Sequence, residues 1–182
     1  LEKTSNDKKH KLKPKVLFRY SPNNNMRKED SGSTLSPINA FNINRLDSTN
    51  NYETGFSTTL GLDYEILRNS KEFDFSIAQV INEKENKKMP SKTSLDEKLS
   101  DLVVSSNYKL NDKFEFSYNG AIDQNYKDIN YSDIGTQINL NPIKIDFNYL
   151  EENKHVGDQK YIKTKLSYEK NNTEIGYEAK RD

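Results

Sequence analysis

The chain has 182 residues, with 28 Lys and Arg against 28 Asp and Glu, and a formal net charge of zero. Only 32% of the residues are apolar and the mean hydropathy is −1.03, too polar for an ordinary soluble core, yet 11 Tyr and 8 Phe are more aromatic residues than a disordered chain carries. No apolar run reaches the length of a transmembrane helix, the absence of Cys excludes disulfides and thiolate metal sites within the chain, and balanced charge gives no support for nucleic-acid binding.

The opening Leu1-Glu2-Lys3-Thr4 has no apolar stretch of the kind that exports a protein, and a start at Leu reads as the interior of a longer sequence. Residues 1–11 are polar and read as a tail or turn. Period-two alternation then begins. Leu12, Val16, Phe18 and Tyr20 alternate with Lys13, Lys15 and Arg19, with Pro14 early in the strand, where a missing N–H is tolerated. A long loop over about 21–51 follows, including the charge run Met26-Arg27-Lys28-Glu29-Asp30, read as solvated surface. From Tyr52 to Ile66 the even positions (Tyr52, Phe56, Leu60, Leu62, Tyr64) are apolar and the odd ones (Glu53, Ser57, Asp63, Glu65) polar.

The same pattern recurs down the chain. Phe73, Phe75 and Ile77 alternate with Glu72, Asp74 and Ser76; Leu102, Val104 and Tyr108 with Asp101, Ser105 and Asn107, although Val103 intrudes. Phe114, Phe116, Tyr118 and Ile122 alternate with Glu115, Ser117, Asn119 and Asp123. Four more strands follow, carried by Ile134, Ile138 and Leu140; by Ile143, Ile145, Phe147 and Tyr149 against Lys144 and Asp146; by Ile162, Leu166 and Tyr168 against Lys163 and Lys165; and by Ile175 and Tyr177. The sequence thus predicts an all-β, antiparallel up-and-down meander of about nine strands, near the length of tilted membrane-spanning strands (roughly 9–11 residues).

The links alternate long and short without exception: 21–51 and 83–98 are the longest, 111–112 and 141–142 the shortest. In a meander this gathers all short turns at one end and all long loops at the other, the layout of an outer-membrane barrel. Tyr20, Tyr52, Tyr149 and Tyr161 fall near the long-loop ends, and Tyr64, Phe73, Tyr108, Phe114 and Tyr168 near the short-turn ends, as two interfacial girdles would. Residues 12–182 accordingly read as a partial transmembrane β-barrel, an odd strand count pointing to a piece of a larger one. The lipid-facing candidates are Phe18, Phe56, Leu60, Leu62, Phe75, Ile77, Val104, Phe116, Tyr118, Ile138, Ile145, Phe147, Leu166 and Ile175. The lumen-lining candidates are Lys15, Arg19, Glu53, Asp63, Glu65, Asp74, Glu115, Asp123, Lys144, Asp146, Lys163 and Lys165. No Lys, Arg, Asp or Glu interrupts the centre of the apolar face, although Gln79 sits on it uncomfortably. Period two alone leaves open a soluble ligand-binding β-barrel, whose apolar face would be inward, and a passive porin or receptor barrel.

Four stretches resemble the LptD family of lipopolysaccharide-assembly, or organic solvent tolerance, proteins. They are Lys13-Pro14-Lys15-Val16-Leu17-Phe18-Arg19-Tyr20-Ser21-Pro22; Asn42-Ile43-Asn44-Arg45-Leu46-Asp47, followed by Gly55 and Leu60-Gly61-Leu62; Phe75-Ser76-Ile77-Ala78-Gln79-Val80, with Ala78 where Gly is common; and Tyr149-Leu150-Glu151-Glu152-Asn153-Lys154-His155-Val156-Gly157-Asp158. Each is weak alone, and their order along nearly the whole chain is the more specific feature. The resemblance implies a segment of the outer-membrane translocon that inserts lipopolysaccharide into the outer leaflet through lumen and lateral gate. It also implies an LptE-like lipoprotein plug and a periplasmic Lpt bridge as partners, and a bacterial outer-membrane location. Within the resembling loop, Asn44, Arg45 and Asp47 stand out, Arg45 as an anchor.

Catalysis has little support. His10 and His155 sit in polar stretches outside any metal-ligand spacing, and no nucleophile or phosphate-loop motif occurs. Asp63 and Glu65 would meet Glu72 and Asp74 across a short turn, but without a partner base or nucleophile they read as lumen charges. No catalytic residue, metal or cofactor is expected.

Overall fold

A computed structural model describes residues 1–5, 7–22, 34–46, 53–69, 71–153, 159–171 and 173–182. Ten strands form one sheet in sequence order, every neighbour antiparallel. They are β1 (Glu2–Ser5), β2 (Lys8–Ser21), β3 (Gly55–Arg68), β4 (Lys71–Asn82) and β5 (Leu102–Asn111), then β6 (Phe114–Ile122), β7 (Ile129–Leu140), β8 (Ile143–Glu152), β9 (Gln159–Lys170) and β10 (Thr173–Arg181). Two short 3-10 turns, Asn39–Phe41 and Ser91–Thr93, interrupt the long links.

The structure adds one strand to the expected nine. Residues expected as a polar tail or turn form β1 and the start of β2, so His10 lies on a strand rather than in a loop. β1 is all polar and offers no alternation to read. It is held by its ladder to β2 and by an ion pair between Lys9 and Glu2. Pro14 lies beyond the last β1–β2 pair, Glu2 with Lys11, so on that side its missing N–H interrupts no ladder among the described residues.

Short links join β1–β2, β3–β4, β5–β6, β7–β8 and β9–β10 at one end of the sheet. Asn residues suit these turns. Asn69 and Asn171 adopt positive φ of 52° and 54°, which Asn tolerates better than most side chains, and the Asn111 carboxamide accepts from the N–H groups of Lys113 and Phe114. The register keeps the two faces unmixed from β2 to β10: Leu62, Ile77 and Val104 stand side by side, as do Ile138, Ile145, Leu166 and Tyr177. β1 and β10 do not pair with each other, so the sheet is open.

Burial is concentrated on the polar face at the long-loop end. There, segments 34–46 and 83–101 fold back over β3–β6. A row of small residues, Gly61, Ala78, Val103 and Ala121, runs across the four strands and receives Ala40, Phe41 and Leu35. A second cluster seats Leu46, Met89 and Leu95 on Val80. Val103, the residue that broke the alternation of β5, is 1% exposed beneath this cover.

Candidate functional site

The polar face carries both signs of charge in neighbouring rows. Lys15 reaches Asp63 at 2.7 Å and Lys11 reaches Glu65 at 3.4 Å. Ser76 donates to the same Asp63 carboxylate at 2.9 Å. Glu65 stands opposite Asp74, and these side chains with Lys11, Lys13 and Ser76 border a shallow cavity of about 210 Å³. Farther along, Lys144 lies 3.6 Å from Asp146, which also accepts from Gln137 at 2.9 Å, and Lys163 lies 3.0 Å from Glu178. Asn148 donates to Asp133 at 2.5 Å. Such half-exposed pairs contribute about 0–1 kcal/mol each; their effect is to leave the face near neutral and rich in exchangeable hydrogen-bond partners.

Arg45 organises the long-loop end. The 34–46 segment brings its guanidinium over β3, where the side chain is fully buried. Nε donates to the Ala40 carbonyl at 2.9 Å, Nη1 to Glu53 Oε1 at 2.6 Å and to Ser57 Oγ at 3.2 Å, and Nη2 to Thr59 Oγ1 at 2.7 Å. Thr59 in turn donates to the Ala40 carbonyl at 3.0 Å. Arg19 closes the cluster from β2: Nε donates to the Ile43 carbonyl at 2.8 Å, Nη2 to the Glu53 carbonyl at 3.1 Å, and Nη1 lies 3.7 Å from Glu53 Oε2. Burial pushes the Arg45 guanidinium below its ordinary value while Glu53 partly offsets that shift. The geometry is that of a staple fastening a loop to the polar face. Phe41 adds packing: its ring lies over Gly61, with Lys15 Nζ 4.4 Å from the ring centroid.

The family model for LptD, described as LPS transport system D, matches residues 1–178. The chain belongs to the LptD family. A comparison with curated proteins finds no match. The LptD family is one of lipopolysaccharide transport, and its match covers the first nine strands and ends within β10.

Placed on this LptD-family sheet, the expected site residues divide as follows. Lys15, Asp63, Glu65, Asp74, Glu115, Lys144, Asp146, Lys163 and Lys165 all stand on the polar face, exposed or half-exposed. Arg19, Glu53 and Asp123 belong to the polar side but lie under the folded loops: Arg19 and Glu53 join the staple, and Asp123 shares the Asn130 amide with Asp101 at 3.5 and 2.9 Å. The fourteen apolar candidates share the opposite face, with Phe18 70% and Ile175 62% exposed. Asn44 is exposed beside the staple. Asp47, Tyr52, His155, the 26–30 charge run and the end of the 149–158 stretch lie outside the described residues.

Sequence reasoning missed Ser57 and Thr59 as partners of Arg45, and Tyr131, which flanks the small-residue row. The spacing of Ser57 and Thr59 on one strand face was visible; that a loop arginine would land on them was not. The structure also supplies the physical reason for Gln79. The ordered β4–β5 pairing ends at Ala78 and Val103, and the Gln79 amide continues it, donating to the Ser100 carbonyl and accepting from the Tyr126 hydroxyl, both at 2.9 Å.

Proposed function

We propose that this chain is a segment of the outer-membrane lipopolysaccharide translocon, with its apolar face toward lipid and its polar face lining the lumen. The carrying observation is the disposition of the two faces. Segments 34–46 and 83–101 fold onto the polar side, while among the described residues the apolar side keeps exposed side chains from Phe18 to Tyr177. A soluble barrel would cover the apolar face instead. In this reading the short turns point to the periplasm, the long loops to the cell exterior, and the ten strands are part of a larger closed barrel. Family membership supports lipopolysaccharide as the cargo, an LptE-like lipoprotein as plug and a periplasmic Lpt bridge as the supplier.

The chemistry of the polar face suits passage. A sugar chain bearing phosphates and hydroxyls meets Asn, Ser and Lys–carboxylate pairs that exchange hydrogen bonds with it. A uniformly basic wall would hold the phosphates through charge-assisted bonds, which are about twice as strong as neutral ones. Photo-crosslinking residues at Asp146 and Phe147, adjacent positions on opposite faces, test the reading in the full-length protein within cells. Asp146 should trap lipopolysaccharide and Phe147 phospholipid; equal lipopolysaccharide adducts at both positions would contradict the assigned faces.

A further inference from the structure

At the short-turn end of β1–β4 the apolar face gives way to cations. Lys3 pairs in register with His10, Lys8 with both Ser5 and Arg68, and Arg68 with Lys71. Alternation therefore puts Lys3, Lys8, His10, Arg68 and Lys71 on the same face as Leu12, Tyr64 and Phe73, just beyond those apolar side chains. Lys3, Lys8, Arg68, His10 and Tyr64 line an open cavity of about 730 Å³, with Asp7 as the one carboxylate among its lining residues. The His10 and Tyr64 rings stack with centroids 6.2 Å apart, and His10 Nδ1 lies 2.9 Å from the Tyr64 hydroxyl.

The contrast with the other face gives these cations their meaning. On the polar side Lys9, Lys11, Lys15 and Lys163 reach a carboxylate, and Lys13 and Lys165, which form no ion pair among the described residues, still stand in register with Asp63 and with Asp146 and Glu178. Among the described residues, none of Lys3, Lys8, Arg68 and Lys71 forms an ion pair. Cations that end an apolar strip, beside a phenol and an imidazole, sit where a lipid head group meets its acyl chains. We infer that this pocket binds the phosphodiester head group of an anionic phospholipid in the leaflet at the short-turn end, the acyl chains running along Leu12 and Tyr64. The continuity of the cations with the apolar strip selects a lipid over a free phosphate, because a free ion makes no use of that strip. The short-turn end lies at the membrane surface opposite the long loops, which separates this site from lipopolysaccharide delivered to the outer leaflet.

The inference rests on the membrane reading of the apolar face, and the two can fail separately. The full-length protein carrying this chain is reconstituted into phosphatidylcholine nanodiscs containing a minor fraction of phosphatidylglycerol, and the lipids retained after detergent exchange are counted by native mass spectrometry. Wild type should retain phosphatidylglycerol over phosphatidylcholine by roughly tenfold, and Lys3→Gln/Lys8→Gln/Arg68→Gln should remove most of that preference. Lys84→Gln/Lys88→Gln, which removes charge from the long-loop end, should preserve it. A wild type with no preference but intact heat-modifiable gel mobility overturns the lipid site and leaves the barrel reading standing. A protein that is monodisperse without detergent and lacks heat-modifiable mobility overturns both. Equal loss in the two variants overturns a local site in favour of bulk charge, and displacement of phosphatidylglycerol by millimolar inorganic phosphate overturns the lipid as its ligand.

Discussion

Arg45 spends its donors on four acceptors that come from the loop itself, from the approach to β3 and from β3. Removing one partner of a buried, hydrogen-bonded pair costs about 3–5 kcal/mol, chiefly because the other charge is left behind. Arg45→Met keeps the side-chain volume but strands Glu53, whose remaining cation, Arg19, is 3.7 Å away. The loss should appear as undocking of segment 34–46, since none of the ten strand ladders passes through Arg45. Protease cleavage within 34–46 of the assembled protein should rise sharply in Arg45→Met and fall back toward wild type in Arg45→Met/Glu53→Gln; unchanged cleavage in the single variant would remove the staple from the account. Gly61→Ala should open the same segment by a different route. A Cβ there would lie 2.6 Å from the Ile77 carbonyl oxygen and 2.7 Å from the Phe41 ring, so the ring must leave. If Gly61→Ala resists cleavage as wild type does, Phe41 is not seated as described.

At the scale of the strand, face decides the outcome of a substitution more than position does. Leu62→Arg or Phe116→Arg places a cation on the apolar face, which in the proposed orientation costs about 2–4 kcal/mol at the bilayer midplane. Asp63→Asn keeps an acceptor for Ser76, and Glu115→Gln keeps its polar-face row beside Lys109 and Gln137. Heat-modifiable gel mobility should be lost in the arginine variants and retained in the amide ones; equal effects would mean that the faces are exchanged or mixed. This division was legible in the sequence, because β3 to β10 each alternate strictly enough to fix inside from outside. β1 was illegible, since Glu2-Lys3-Thr4-Ser5 has no apolar member and is a strand only through its partner. Val103 looked like an error in the pattern and is instead part of the row on which Ala40 rests. The docking of 34–46 and 83–101 could not be read either. It depends on contacts between residues distant in sequence, such as Arg45 with Thr59 and Val80 with Ser100, and a period-two signal carries no information about them.

For the molecule as a whole, the sheet resolves the conflict between a very polar chain and its many aromatics, because each strand needs only one apolar face. In the proposed orientation it also separates two tasks: the apolar face would carry assembly, and the polar face whatever passes. On that reading, charge changes on the polar face should leave folding alone while altering transport. Replacing Asp63, Glu65 and Asp146 with their amides leaves Lys15, Lys11 and Lys144 without counter-charges, and amides can still occupy most of the lost hydrogen bonds. The freed cations would then hold lipopolysaccharide phosphates by charge-assisted bonds. Each additional 1.4 kcal/mol or so of holding slows departure about tenfold. The triple amide variant should assemble normally by heat-modifiable mobility, yet pulse-labelled lipopolysaccharide should reach the cell surface several-fold more slowly. Raising the ionic strength should restore part of the rate, because exposed charges on a wet wall are screened within about 8–10 Å at physiological salt. A variant that assembles and delivers lipopolysaccharide at the wild-type rate would show that charge balance on this face does not govern passage, and would leave shape and the stapled loop as the properties that do.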